Sequence, residues 1–385
     1  MALNIWGFTK GRPPPGPIYA QIGIADPCNH KCVMCADHPP KENVSVTTEA
    51  AFALPPGMMS LTQFKEIVDD FKSMDTYRIE LVGQGEPMLN KQATEMLVYA
   101  KTKGMFVRMV SNGSLIYEKD AEAMVDSGMD HLQISLNAGK PETYPSIHVT
   151  ETPEKYIKVK SNLRYLTEYK RARKSLLPHL RLGFVISNRN CFELKEMVQA
   201  VYDIGADEAK FDYATVHEGT KGIQLTVENF KKLKTLIPEA ERLAGKLGVK
   251  TSLKAFAAGA PPYLEEEVQG PPIVPCYVGW YFGRVIGNGS VLPCCQCANP
   301  LAVMKESESY KSLWGSEAYN RFRTAARALP EKSDVLNNCE CNQCMVRPRN
   351  ITIHNLLFPF RQIKGIKKDM VYKFKDLFSS RLTRF

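Results

Sequence analysis

The 385-residue chain has no run of 18 apolar residues, so its sequence offers no candidate transmembrane helix. The first eight residues are soon followed by three consecutive prolines at 13–15, so we do not expect a signal peptide. Hydrophobic residues make up 44% of the chain and charged residues 24%, which is ordinary for a globular protein. The sequence therefore predicts a soluble cytoplasmic protein.

Cysteines are plentiful, but their grouping argues against a disulfide framework. Ten of the eleven fall within residues 28–35 and 276–344, and only Cys191 stands alone. In a reducing compartment, such groups are typical of metal ligands and not of disulfides.

The first group has no fourth cysteine in reach. Cys28, Cys32 and Cys35 follow a short apolar strand. A closed 4Fe-4S cluster takes four cysteines, so three thiolates leave one iron open to another ligand. The alternative is a structural zinc site, which needs four ligands and which His30 or His38 would complete.

The Cys-x3-Cys-x2-Cys spacing resembles the cluster motif of the radical S-adenosylmethionine (SAM) superfamily. The resemblance implies that the open iron chelates SAM and that reductive cleavage gives a 5'-deoxyadenosyl radical. It also implies an external one-electron reductant of the flavodoxin or ferredoxin type. Met34 stands where the family usually has an aromatic residue, which bears on adenine packing and not on the cluster.

Strand-like runs alternate with helical runs from residue 18 to about 250, which predicts parallel βα units. The predicted strands are 18–24, 78–82, 105–110, 131–136, 180–186 and 208–213. The predicted helices are 61–73, 91–103, 121–127, 153–169, 192–204 and 227–247. Six repeats agree with the partial (β/α)6 TIM-like barrel of the radical SAM family, and in such barrels the chemistry lies at the carboxyl ends of the strands.

Polar segments follow the ends of the second, third and fourth predicted strands. Each alone is compatible with an ordinary turn. Residues 83–87 resemble the family's GGEP segment, which implies that their backbone and Glu86 hold the SAM amino group. The later segments resemble its ribose- and carboxylate-binding residues, with Gln84 departing from the usual glycine. The SAM-binding residues that the resemblance implies are Gly83, Gln84, Gly85, Glu86, Ser111, Asn112, Ser135 and Asn137.

The second cysteine group follows a Pro- and Gly-rich linker at residues 258–275. Gly287 and Gly289 predict a β-hairpin that brings Cys294 beside Cys276. Four thiolates, those of Cys276, Cys294, Cys341 and Cys344, would then close an auxiliary 4Fe-4S cluster. This pattern resembles the Twitch domain, a shortened relative of the SPASM domain.

A full SPASM domain carries two auxiliary clusters and ends in a C-x2-C-x5-C-x3-C run, whereas no cysteine follows Cys344 here. Cys295, Cys297 and Cys339 are left over once four ligands are assigned. One auxiliary cluster is therefore predicted, and the alternatives are two clusters, an exchange of ligands between adjacent thiols, or a zinc site.

The net charge of +9 is concentrated near the C-terminus, where residues 361–385 hold eight basic and two acidic side chains. Apolar residues recur there at helical spacing, as in a basic amphipathic helix that docks on its own domain or touches a membrane peripherally. Nucleic-acid binding is not expected, because no aromatic platform accompanies the charge. The predicted organisation is an N-terminal extension at 1–17, the barrel at 18–257, the linker at 258–275, the auxiliary domain at 276–345 and the tail at 346–385.

A fully ligated auxiliary cluster has no open iron for substrate, so its predicted role is to accept an electron. This favours the two-electron oxidation of a small hydroxylated substrate, sugar-like or aminocyclitol-like by resemblance. Polar residues expected to face the barrel interior include Tyr19, Gln21 and Gln133. Asp212 and Tyr213 are further catalytic candidates, but neighbours on one strand cannot both face inward.

The sequence is also compatible with functions besides oxidation. Asn190 is predicted to cap the fifth helix and to place Cys191 in its first turn. In a radical SAM epimerase, Cys191 would return a hydrogen atom to the substrate, although a lone cysteine also packs as a small hydrophobe. A peptide-modifying SPASM-type maturase, or a non-enzymatic iron-sulfur or zinc-binding interaction protein, would carry the same cysteine groups.

Overall fold

The computed structural model describes residues 15–40, 56–216, 218–264, 274–329 and 346–357, together with Leu336, Cys339, Cys341 and Cys344. The predicted basic helix beyond residue 357, most of the N-terminal extension and residues 265–273 of the predicted linker lie outside these residues. No helix in the described part of the chain has both the length and the apolar character needed to cross a bilayer.

Within the described ranges, ten strands form one sheet in the order β10-β9-β8-β1-β2-β3-β4-β5-β6-β7. The strands are β1 Tyr19–Ile22, β2 Arg78–Leu81, β3 Phe106–Ser111, β4 His131–Ser135, β5 His179–Ile186, β6 Glu208–Tyr213, β7 Lys250–Thr251, β8 Phe282–Val285, β9 Ser290–Val291 and β10 Ala302–Val303. The helices are α1 Leu61–Ser73, α2 Ala93–Thr102, α3 Glu118–Asp126, α4 Tyr144–Ile147, α5 Pro153–Ala172, α6 Leu194–Ile204, α7 Val227–Leu247, α8 Leu253–Ala257, α9 Val278–Tyr281, α10 Tyr310–Trp314, α11 Glu317–Ala328 and α12 Arg347–Leu357.

Strands β1 to β6 are parallel neighbours in chain order, and each is joined to the next through at least one helix. Alternate strand residues face opposite sides of a sheet. On β2, Ile79 and Leu81 are buried in the main hydrophobic cluster with α1 and α2 residues, whereas Arg78 and Glu80 face the other side. The predicted six strand–helix repeats of a parallel α/β barrel are therefore confirmed.

The first strand is shorter than predicted, because the ladder ends at Ile22 and not at residue 24. Just beyond it the chain passes close to the end of β2: a Cβ added to Gly83 would lie 2.6 Å from the Cα of Gly23. Only glycine fits such a close backbone approach. The close contact brings the segment before the first cysteines against the predicted SAM-binding segment.

The sheet continues from the barrel into the second cysteine region. Strand β8 lies parallel to β1, with Arg284 opposite Gln21, and β8 turns back into antiparallel β9. Gly289 in this turn has φ +85, a left-handed conformation that favours glycine. The predicted hairpin is thus confirmed. The strands before and after the predicted linker belong to one continuous sheet.

The fifth predicted helix starts later than expected. The Asn190 side chain accepts from the Ser187 N–H at 2.8 Å and donates to the Asn137 carbonyl at 2.7 Å, so it closes a turn instead of capping a helix. Helix α6 begins only at Leu194. The prediction that Cys191 occupies the first helical turn is therefore wrong, because the Asn190 hydrogen bonds hold Cys191 in the preceding loop.

Candidate active site

The three N-terminal cysteines lie on one braced loop directly after β1. Cys32 forms an antiparallel bridge with His148, and the Val33 N–H donates to the Ile147 carbonyl at 3.0 Å. The Cys35 N–H donates to the Cys32 carbonyl at 3.0 Å, which turns the loop back on itself. The segment after α4 thus holds the loop in place at the carboxyl end of the barrel.

The three thiols are suited to a bound cationic group. Burial raises the pKa of all three, that of Cys35 to about 12, and the sulfurs of Cys28 and Cys35 further raise the pKa of Cys32. Backbone N–H groups of His30 and His38 point at the Cys28 and Cys35 sulfurs, at 3.4 and 3.1 Å. Soft thiolates with N–H donors suit an iron-sulfur cluster, whose binding must displace the thiol protons.

The two histidines considered as completing a zinc site have different surroundings. The His38 ring contacts the Asp26 carbonyl at 2.7 Å. His30, Cys32 and His148 each place one ligand atom within 4.8 Å of the others. Because Cys32 is shared, this triad and a cluster on the three cysteines are mutually exclusive arrangements.

The Glu86 carboxylate joins the ends of β2 and β3. It is only 2% exposed and accepts from the Met88 N–H at 3.0 Å, the Ser111 hydroxyl at 2.8 Å and the Asn112 N–H at 2.7 Å. Burial raises its pKa, an effect that these hydrogen bonds oppose. Asn112 in turn donates to the Asn29 side chain at 2.8 Å, within the cysteine loop. One buried carboxylate therefore orders several predicted SAM-binding residues around the cysteines.

The remaining predicted SAM-binding residues lie at the same end of the sheet. A Cβ on Gly85 would meet the Pro27 carbonyl oxygen at 2.0 Å, so only glycine fits there. Ser135 ends β4 half-buried, whereas buried Asn137 uses its side-chain oxygen to accept from the Val185 N–H at 3.0 Å. Gln84 is half-buried on the loop after β2. Their roles toward SAM remain predictions.

We expect Glu86→Gln to destabilise the protein and to weaken SAM binding. An amide nitrogen at this position must face one of three hydrogen-bond donors, and an unsatisfied buried donor costs about 1–3 kcal/mol. Denaturant unfolding measures the loss of stability, and equilibrium dialysis measures SAM affinity. Glu95→Gln, an exposed change on α2, is the matched control and should alter neither quantity. Unchanged SAM affinity in Glu86→Gln would remove Glu86 from the SAM site.

The second cysteine region forms one cavity. The four predicted auxiliary ligands line it, together with Cys339 and with apolar walls that include Phe322 and Leu336; the four are Cys276, Cys294, Cys341 and Cys344. Burial raises the pKa of Cys276 to about 12. The Asn350 amide donates to its sulfur at 3.4 Å. A cavity lined by thiols and apolar side chains, with an N–H donor, fits a closed 4Fe-4S cluster or a tetrahedral zinc ion.

The leftover cysteines have separate environments. Cys297 and Cys339 form a disulfide, because a β-bridge brings their Cα atoms to 4.0 Å. The expectation that the grouped cysteines form no disulfide is therefore wrong for this pair. Cys295 is a free thiol whose pKa falls to about 7, chiefly through a hydrogen bond from Cys294 and further through Arg284.

One buried carboxylate connects the two cysteine regions. Asp26, two residues before Cys28, accepts from the N–H groups of Gly287 at 2.8 Å and Asn288 at 3.0 Å, in the turn between β8 and β9. It also accepts from the Gly57 N–H at 3.0 Å. The turn that precedes Cys294 is therefore fixed to the start of the first cysteine loop.

The structure separates the catalytic candidates on β6. Asp212 is half-exposed on the inward face and pairs with Lys210 at 2.6 Å. Tyr213 faces outward, where its ring stacks on Phe256 with centroids 4.1 Å apart. Of these neighbours, only Asp212 is directed toward the barrel interior, so the choice that the sequence left open between them falls on Asp212, and Tyr213 does not reach the interior.

Cys191 packs in the main hydrophobic cluster, 1% exposed, and burial raises the pKa of its thiol to about 11. We expect Cys191→Ala to lose about 1 kcal/mol of stability, as for a small core truncation, and to keep its catalytic turnover. Thermal unfolding and 5'-deoxyadenosine release provide the measurements. A stable variant that still cleaves SAM but forms no product would instead establish Cys191 as a hydrogen-atom donor, a role that remains a prediction.

Comparison with known proteins identifies the barrel. Residues 24–166, from the end of β1 through most of α5, match the Radical SAM superfamily. The chain carries a radical SAM domain. This match confirms the predicted SAM and 4Fe-4S chemistry of the domain, and it covers Cys28, Cys32, Cys35 and Glu86.

Relatives and solved structures extend the likeness. The chain is 22% identical over 283 residues to the PqqA peptide cyclase of Bradyrhizobium diazoefficiens, covering 69% of this chain and 67% of that protein. Streptococcus suis SuiB has a similar fold, with a TM-score of 0.61 at 14% identity over 90% of this chain and 77% of SuiB. The structure of anSMEcpe with bound AdoMet is also similar, with a TM-score of 0.56 at 15% identity over 89% of this chain and 96% of the anSMEcpe chain.

Several site residues were not predicted from the sequence. The contact of His148 with Cys32 depends on a bridge between positions 116 residues apart. Asn29 belongs to the site only through its hydrogen bond with the Asn112 side chain. Arg284 carried a weak signal, since it alternates with apolar neighbours on a predicted hairpin strand, but its burial has no signature in the sequence.

Proposed function

We propose that this radical SAM protein oxidises a side chain of a peptide or protein, with Cys28, Cys32 and Cys35 holding the SAM-cleaving cluster and Cys276, Cys294, Cys341 and Cys344 an auxiliary one. When bound, these groups would supply reductive SAM cleavage at the first site and a one-electron acceptor at the second. The observation that carries the proposal is the presence of two separate, largely half-buried thiol sites beside one sheet.

The described contacts support cooperation between the two sites. The first cysteine loop follows β1. In the second region, Cys276 precedes β8 and Cys294 follows it. Strands β1 and β8 are hydrogen-bonded neighbours. Asp26 fixes the two regions to each other through the β8–β9 turn. Oxidation needs both a site of hydrogen abstraction and a place for the remaining electron. The arrangement therefore suits the loss of two hydrogens better than isomerisation.

Inward-facing residues would orient the substrate and take up its proton. Asp212 is the carboxylate best placed to accept a proton, since it is half-exposed inside the barrel. Tyr19 is a weaker candidate, because burial raises its pKa to about 12. Asp212 is therefore our candidate for the general base.

The relatives support a peptide substrate over the small hydroxylated substrate predicted from the sequence. One relative is named a PqqA peptide cyclase, and structural neighbours were solved with the precursor peptide SuiA and with the Cp18Cys peptide. The flavodoxin- or ferredoxin-type reductant remains a prediction.

Fractionated cell extract tests the substrate class. Anaerobically reconstituted protein, SAM and reductant would be incubated with either the peptide fraction or the small-metabolite fraction. We expect the peptide fraction to raise 5'-deoxyadenosine release above the substrate-free level and to yield a product two hydrogens lighter by mass spectrometry. The Cys28→Ala, Cys32→Ala, Cys35→Ala protein is the control. Stimulation by the small-metabolite fraction alone would contradict the peptide proposal.

A further inference from the structure

The inward face of the sheet carries a dense set of charges. Its basic residues are Arg78, Arg108, Arg181, Lys210 and Arg284, and its acidic residues are Glu80, Glu208 and Asp212. Arg78 and Arg108 both pair with Glu80, Arg181 pairs with Glu208, and Lys210 pairs with Asp212. Among these described residues, Arg284 alone has no carboxylate within ion-pair distance.

Arg284 is also deeply buried. The residue is 7% exposed, and its buried Nε donates to no acceptor in the described part of the chain. A buried charge without a partner is costly, and natural proteins pair it or bind an ion with it. The described residues therefore leave this guanidinium in need of an anion.

The position of Arg284 points to the barrel interior. In register with Gln21, it lies on the face opposite Val285, which packs in the hydrophobic cluster beside the helices. Gly283 also faces away from it, since a Cβ there would meet the Tyr310 hydroxyl. Arg284 thus shares the inward face with Gln21, within the hollow where the proposed function places substrate.

Arg284 lies where the two cysteine regions adjoin. The neighbouring strand β1 leads into the first cysteine loop, and β8 itself leads through the turn held by Asp26 toward Cys294. Three backbone N–H groups already occupy the Asp26 carboxylate, and it makes no ion pair with Arg284. A second cation, Arg349, stacks over the Tyr19 and Tyr281 rings and binds the Tyr19 hydroxyl. Two arginines therefore place positive charge beside these paired strands.

From this arrangement we propose that Arg284 binds a carboxylate of the substrate between the two cysteine regions. The inference rests on the proposed peptide function, in which an acidic side chain supplies the carboxylate. The planar guanidinium fork matches a carboxylate in bidentate geometry, which would fix the orientation of the substrate as well as its affinity. SAM itself carries a carboxylate and is the competing source.

Equilibrium binding to the reconstituted protein tests the assignment. The probes are a blocked Gly-Glu-Gly tripeptide and its Gly-Gln-Gly counterpart, measured by calorimetry at low salt with SAM present. We expect the wild type to prefer the acidic peptide, and Arg284→Gln to bind it about tenfold more weakly or worse, the size expected for a charged hydrogen bond. Arg284→Lys should retain part of the preference. Arg173→Gln, which removes an arginine from the exposed pair with Asp126, is the control and should behave as wild type.

SAM affinity distinguishes the two possible sources of the carboxylate, and the melting temperature tests for a structural role of Arg284. Unchanged SAM affinity in Arg284→Gln supports a substrate carboxylate, whereas a parallel tenfold loss would assign the carboxylate to SAM and overturn the proposal. Neutralising an unpaired buried charge should leave the melting temperature unchanged or higher, so a large decrease would instead show that Arg284 has a structural partner. Equal binding of the two peptides by the wild type would also overturn the proposal. Binding needs no turnover, so failure to modify peptides would refute the proposed function separately.

Discussion

Replacing Cys28, Cys32 and Cys35 together by alanine is expected to abolish 5'-deoxyadenosine release while leaving the second metal site filled. These thiols share one braced loop, and burial keeps them protonated at neutral pH until metal displaces the protons. Without them, the Glu86 network still orders the surrounding loops but has no iron to which SAM could be directed. Iron should fall to about half of the wild-type amount, as expected for the loss of one of two cubane clusters.

The measurements for this triple variant are iron analysis and chromatography of the reaction mixture after anaerobic reduction. Cys191→Ala is the matched control, because it removes a thiol that lies in the hydrophobic core. Deoxyadenosine release from the triple variant at the wild-type rate would show that SAM is cleaved elsewhere in the chain.

Replacing Cys341 and Cys344 together by alanine is expected to give the complementary result. Both line the cavity that also contains Cys276 and Cys294, so this change removes half of the predicted auxiliary ligands. The first cysteine loop is held by His148 and Asn112, which this change does not touch. SAM cleavage should therefore persist, iron should fall by about half, and the product two hydrogens lighter should disappear.

Substrate-stimulated SAM cleavage and product mass are measured on the same samples of this double variant. Cys297→Ala is the control, because it removes a cysteine of the same region that forms a disulfide with Cys339 and is not a predicted ligand. This variant should keep most of the iron. Formation of the oxidised product by the double variant would show that the second site takes no part in the oxidation.

The sequence predicts the local elements of this fold well, because each depends on neighbouring residues. Six strand–helix repeats follow from hydrophobic alternation, and the β8–β9 hairpin follows from the glycines at its turn. The pairing of β8 with β1 joins residues more than 250 positions apart, and no local pattern specifies it. That pairing nevertheless decides how the two cysteine regions are placed.

The site was predicted in its residue types more than in its contacts. Spacing and family resemblance predict the cysteines of both regions as metal ligands, since such ligands need particular donor atoms. The sequence could not show that the Glu86 carboxylate accepts hydrogen bonds from Met88, Ser111 and Asn112. It also could not show that the Asn190 side chain closes a turn before Cys191. Strand alternation excluded having both Asp212 and Tyr213 inward, but only the stacking of Tyr213 on Phe256 decides between them.

The central claim, two iron-sulfur sites in one radical SAM chain, is tested most directly by combined iron, sulfide and zinc analysis of anaerobically reconstituted wild-type protein, with Mössbauer spectroscopy of the iron. The account predicts about eight iron and eight sulfide per chain, all in cubane clusters, and negligible zinc. About four iron with one tightly held zinc would contradict it, because the cavity around Cys276 would then be a structural zinc site.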